Sequence, residues 1–176
     1  MCNGLPEEFI TKFKLQFVCV CASSFSYLDD KRPMMAPKEE TKEQKKEKKD
    51  KKAPKELVLQ YLVPQKPPAI YNHWKYGLEE MSGFVKRNMR KDLFAKLSVY
   101  YVVGALDNVQ EKKGKTDKQK SVLLQGSSRL ERTRYFVQRV QSLFNAKSHL
   151  LIEVPNVGYR CKDLFFSIQV RNLLFY

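Results

Sequence analysis

The sequence predicts an α+β domain leaning towards all-α. It reads as a small helix-rich unit of two or three packed helices, with room for a short C-terminal β-hairpin, behind a disordered, charged N-terminal tail. Three observations carry this. Residues 128–151 form an amphipathic stretch, with Leu130, Phe136, Val137, Val140, Leu143, Phe144 and Leu151 in one arc at 3.6 residues per turn and Gln138, Ser142 and Asn145 opposite. Residues 38–56 hold lysines and acids and almost nothing to bury. Near the C-terminus, Phe166, Ile168 and Val170 alternate with Ser167, Gln169 and Arg171, a period of two.

Residues 1–34 are an atypical extension. The apolar run at 15–25 lacks a polar counter-face, is too short to span a bilayer, and follows Glu7 and Glu8, the wrong sign for a secretory signal. As a strand it would set Phe17, Cys19 and Cys21 on one face. Met34 and Met35 offer a second, more natural start, which makes the first segment a candidate artefact of gene modelling. Residues 35–67 are a Lys/Glu-rich tail and a proline linker: nine lysines stand against six acids over 38–56, and Pro64, Pro67 and Pro68 impose extended geometry. Between them, ELVLQYLV at 56–63 suits a strand or a turn or two of helix.

Residues 68–176 are the basic globular domain. Asn72 is placed to cap a helix over 73–90 that carries Trp74, Leu78, Met81, Phe84, Val85 and Met89, and whose Gly77 and Gly83 demand support from packing. Asp92 caps a second helical pattern running through Leu93, Leu97, Tyr100, Tyr101 and Gly104, with a strand at 99–103 as the alternative. Ser128 and Glu131 have capping-box spacing ahead of the third helix. LLIEV at 150–154 and the segment 164–171 are the expected strands, joined by a PNVG turn.

The net charge of +14 is spread over this domain as well as the tail, and favours an anionic partner. The densest basic cluster, Lys86, Arg87, Arg90, Lys91 and Lys96, is flanked by Phe84 and Phe94, an interleaving suited to phosphates and bases. Lys112, Lys113 and Lys115 form a second cluster in a polar loop. Gly114-Lys115-Thr116 fails as a phosphate-binding loop because Val109 occupies the position that needs glycine.

Catalytic chemistry finds little purchase. His73 and His149 have no catalytic spacing, and there is no nucleophile elbow and no HExxH. Cys19, Cys21, Cys161 and His149 offer one close-spaced pair where a zinc site needs two. The expectation is therefore of no enzyme, no cofactor and no metal. The favoured reading is a non-catalytic assembly subunit with protein partners in a larger complex; the alternatives are a nucleic-acid- or ribosome-associated protein and attachment to an acidic polymer such as microtubules. The absence of an Asn-x-Ser/Thr acceptor and of a disulfide framework points to a soluble intracellular protein of cytoplasm or nucleus, without membrane insertion.

Overall fold

The computed structural model describes residues 15–37, 57–110 and 117–175, together with Glu8 and Lys12. Its centre is β4 (Ser98–Gly104), the sequence SVYYVVG. A Val/Tyr run this uniformly apolar has no solvent face and is stable only when covered on both sides. It is flanked by β1 (Gln16–Val20) and β5 (His149–Val154), both parallel to it, in the order β1-β4-β5. A separate antiparallel pair joins β2 (Arg32–Pro37) to β3 (Leu57–Leu62). Among the described residues the helices include α1 (Gly83–Asn88), α2 (Lys91–Lys96), α3 (Asp117–Leu123), α4 (Arg129–Phe144), α5 (Cys161–Phe165) and α6 (Ile168–Phe175).

The helix-rich expectation is thereby corrected to an α/β architecture organised on a parallel sheet. The apolar run at 15–25 lacks alternation because β1 is half-buried on both faces, with Phe17 and Cys19 against one core and Val18 and Val20 against the other. At 99–103 strand wins over helix, since β-branched and aromatic side chains fit the pleat between two neighbours. The expected C-terminal hairpin is absent. β5 is where a strand was expected, but it pairs parallel with β4, and residues 161–175 are the helices α5 and α6. Their alternating pattern is met by docking Leu164 and Val170 under the sheet, both wholly buried.

The sheet separates two cores. On one face Phe136 of α4 enters an aromatic box, stacked on Phe25 at 4.5 Å and meeting Tyr27 and Tyr101 edge-on at 5.4 and 5.7 Å. Val99, Val137 and Val140 complete it. On the other face Val102 and Val154 pack against Leu164 and Val170. Residues from the N-terminal extension thus share a core with those of α4. Burying side chains of this size is worth roughly 1.5–3 kcal/mol each.

α4 starts as its cap dictates. The Ser128 hydroxyl accepts from the Glu131 N–H at 3.2 Å, while the Glu131 carboxylate accepts from the N–H and hydroxyl of Ser127, one residue before the partner expected. The helix ends at Phe144, where Asn145 takes a left-handed conformation, so Leu151 belongs to β5.

The long helix over 73–90 does not form; only α1 remains of it. The Asn72 amide donates to Glu79 at 2.8 Å, and its carbonyl oxygen accepts from Arg32 at 3.1 Å. Arg32 is fully buried and also donates to the carbonyls of Asp29, Lys31, Tyr71 and Tyr76, with its guanidinium 4.5 Å from the Tyr27 ring centre. Burial holds its pKa below the ordinary arginine value. Those carbonyls must point inward at Arg32, which is incompatible with a helix through them. A side chain at Gly77 would lie 2.1 Å from the Asn72 oxygen, so the turn closes only around glycine.

Candidate functional site at the carboxyl edge of the parallel sheet

Open α/β sheets hold ligands outside the carboxyl ends of their strands. Here that edge gathers residues far apart in sequence: Cys21 after β1, Asp107 after β4, Arg129 at the start of α4, and Tyr159 and Cys161 after β5.

β4 runs into the turn 105–107, fixed by the Asp107 N–H donating to the Gly104 carbonyl at 3.0 Å and the Leu106 N–H donating to the Val157 carbonyl at 2.9 Å. Gly104 permits this approach, because a Cβ there would stand 2.2 Å from the Val157 oxygen and 2.3 Å from that of Gly158. The turn delivers Asp107 to the first turn of α4, whose Leu130 N–H donates to the Asp107 carbonyl at 3.1 Å. The Asp107 side chain is buried, and its Oδ2 lies 3.7 Å from the Arg129 guanidinium. That is an ion pair too long for a hydrogen bond, and Oδ2 and Arg129 Nε are both buried without a hydrogen-bond partner. Leaving such groups unmatched costs on the order of 1–3 kcal/mol each. The guanidinium is about a third exposed and lies 5.2 Å from the ring centre of the exposed Tyr159.

Two thiols border the same edge. β1 sets Cys19 among the residues packed under α4, and regular alternation would leave Cys21 beside it. Instead Cys21 has a φ of 54°, and its side chain joins Val18 and Val20 on the opposite face. A left-handed residue with a Cβ costs about 1–2 kcal/mol. Its thiol donates to the Tyr159 carbonyl at 3.1 Å. Burial first, then the contact with the Cys161 thiol, push its pKa up to about 12.

Both histidines lie elsewhere. His149 is buried at the amino end of the sheet, 3.1 Å from the Tyr101 hydroxyl and 2.8 Å from the Phe94 carbonyl; burial lowers its pKa. His73 lies 3.1 Å from Glu80 and lines an open groove of about 360 Å3 with Trp74 and Lys75. So Cys21 and Cys161 meet, but His149 stands at the far end of the strands. Among the described residues no cluster of three or more His, Cys, Asp or Glu side chains is arranged for a metal.

Of the basic residues singled out from the sequence, the first cluster lies on α1, on α2 and between them. Lys86 and Arg87 are exposed on α1. Arg90 forks onto Asp92 at 2.7 and 3.0 Å, lowering that carboxyl to about 2. Lys91 donates to the Leu28 carbonyl at 2.9 Å, and Lys96 is exposed at the end of α2. Lys112, Lys113 and Lys115, and the tract at 38–56, lie outside the described residues.

Two solved structures match this chain. One is a poly(aspartic acid) hydrolase-1 from Sphingomonas sp. KT-1, 18% identical with a TM-score of 0.42, the match covering 61% of this chain and 40% of that one. The other is LpqC, a poly(3-hydroxybutyrate) depolymerase from Bordetella parapertussis, 17% identical with a TM-score of 0.40, covering 61% and 41%. The match thus spans about two fifths of each of those proteins. No family model and no curated protein matches.

The expectations of a non-catalytic assembly subunit, a nucleic-acid- or ribosome-associated protein, a microtubule-attachment protein and a chain that is not an enzyme are corrected in their premise, since they assumed a helix-rich basic domain and the sheet is parallel α/β. The chain is a parallel α/β domain with a polar site at its carboxyl edge, and the structures it resembles are those of a hydrolase and a depolymerase. At these TM-scores the likeness assigns no activity to this chain. Among the described residues no helix is long and apolar enough to cross a membrane.

Sequence reasoning missed Asp107, Arg129 and Tyr159. The available signal was an apolar run ending in glycine with an acid three residues on, which is how a strand hands a carboxylate to the edge of a sheet.

Proposed function

We propose that the protein is a hydrolase-like α/β enzyme that takes a carbonyl- or carboxylate-bearing substrate at the carboxyl edge, with Arg129 as the group that meets the substrate oxygen. The supporting observation is the Asp107–Arg129–Tyr159 set, where a half-satisfied ion pair stands at the place an open α/β sheet uses for ligands. A guanidinium aimed at a carbonyl stabilises the oxyanion that forms when the carbon is attacked. Asp107 positions that guanidinium from beneath and the Tyr159 ring flanks it. Water supplies the nucleophile: the Cys21 thiol stays protonated at neutral pH, and the Ser127 hydroxyl is engaged by Glu131. The free thiols Cys19, Cys21 and Cys161 favour a reducing, intracellular setting.

The test is turnover of chromogenic aryl esters and anilides by the full chain and by Arg129→Gln. Turnover that falls by about 100-fold or more in the variant is expected, the usual consequence of losing an oxyanion donor. No turnover above the buffer rate, or an unchanged rate in the variant, would overturn the reading.

A further inference from the structure

We propose that Cys21 and Cys161 form a redox-responsive dithiol, closing to a disulfide when a peroxide or a low-molecular-weight disulfide oxidises them. This goes beyond the hydrolytic reading and does not depend on it.

The geometry is built from three departures. First, the left-handed turn at Cys21 withdraws its side chain from the face it would share with Cys19 and delivers it to the other face. Second, both thiols converge on one acceptor, the Tyr159 carbonyl, with Cys21 Sγ at 3.1 Å and Cys161 Sγ at 4.0 Å. Third, the Cys161 thiol adds to burial in raising the Cys21 pKa, which places the two side chains close together although 140 positions separate them in sequence (161 minus 21). Both are free thiols in the structure, Cys161 exposed and Cys21 partly covered.

Exposure sets the order of events. Cys161 is the thiol a peroxide reaches first. Its thiolate attacks a peroxide oxygen, the O–O bond breaks, and the departing hydroxide takes up the proton that the Cys161 thiol had released, leaving a sulfenic acid on Cys161 and one water. The Cys21 sulfur then attacks the Cys161 sulfur, the S–O bond breaks, and the proton leaving Cys21 turns the departing hydroxide into a second water. Two thiols and one hydrogen peroxide become one disulfide and two waters, the peroxide being reduced. Cys21, its thiol kept largely protonated by burial, is a poor first target. The bond would tie the end of β1 to the start of α5 across the Tyr159 carbonyl. The loop beside Arg129 would then be fixed in place.

The experiment exposes the native full-length protein to hydrogen peroxide and, separately, to oxidised glutathione. Free thiols are then blocked and the digest mapped by mass spectrometry without reduction. The expected result is a Cys21–Cys161 cross-linked peptide, lighter by two hydrogens than the two peptides together and released by dithiothreitol. Cys161→Ser removes an exposed thiol outside the core, and should abolish the cross-link. Cys19→Ser should leave it intact. A stable sulfinic acid or glutathione adduct on Cys161 with Cys21 still free would overturn the proposal. So would a Cys19–Cys21 link, or a cross-link that persists in Cys161→Ser. None of these readouts requires catalysis, so failure of the hydrolytic reading and failure of this one are separate outcomes.

Discussion

The two ends of the parallel sheet treat their polar groups in opposite ways. At the amino end His149 is buried with one ring nitrogen facing the Tyr101 hydroxyl and the other the Phe94 carbonyl, and the Phe94 ring lies edge-on at 4.7 Å. At the carboxyl end Asp107 and Arg129 are held in reach of each other but not in contact, beside two thiols that share a single carbonyl. A satisfied buried group is architecture: it makes the strand ends rigid and leaves no valence for a ligand. An unmatched pair has bonding capacity left over. This difference, more than residue type, singles out the carboxyl end as the candidate site, with His149 at the opposite end of the strands.

The sharpest way to break the comparison is to remove one group from each end. His149→Ala leaves a hydroxyl and a carbonyl without partners and opens a cavity, which should cost about 3–4 kcal/mol. Asp107→Asn should cost less than about 1 kcal/mol, because it gives up an ion pair that is not hydrogen-bonded. Urea denaturation of both variants measures this, and equal losses would refute the division.

A perturbation confined to the carboxyl end sharpens it further. Gly104→Ala forces a methyl against the Val157 and Gly158 carbonyls, so the loop at 155–159 must shift, at a cost of about 2 kcal/mol. Amide exchange should accelerate in that loop while residues 149–151 keep their protection. Faster exchange at both ends would mean the sheet transmits strain along its whole length.

The smallest effect is titration. The folded protein holds His149 below its ordinary value of 6.5, chiefly by burial. The unfolded chain therefore takes up the proton first, so stability is fully present above pH 6.5 and falls as the pH drops below it. His149→Phe should remove that part of the slope, read as denaturation midpoints across the acid range. A slope unchanged in the variant would assign the dependence to other groups.

The legible part of this fold was local. The Ser128 cap, the apolar face of α4 and the strand near residue 150 are all written in neighbouring residues, and the Ser128–Glu131 bond forms as its spacing requires. What could not be read was decided by partners far away in sequence. Asn72 was placed as a helix cap and instead serves Arg32, 40 residues upstream. From the sequence Val99 to Val103 read first as helix and only second as strand, and β1 and β5 on either side decide for the strand. The segment 164–171 alternates as a strand does, yet as helices it sends Leu164 and Val170 to one core. The site was less legible still: Cys21, Asp107, Arg129, Tyr159 and Cys161 have no shared spacing and meet only because three parallel strands end together.

The parallel pairing of β1 with β4 also has a consequence for synthesis. Gln16 is registered with Ser98, about 80 residues later, and a loop of that length must close before the pair gains a single contact. Strands joined so remotely fold slowly. On the ribosome β1 emerges long before its partner, carrying Phe17, Val18, Cys19 and Val20 with no sheet to enter. β1 is therefore made well before it can be buried, and during that interval its apolar run needs protection from other nascent chains.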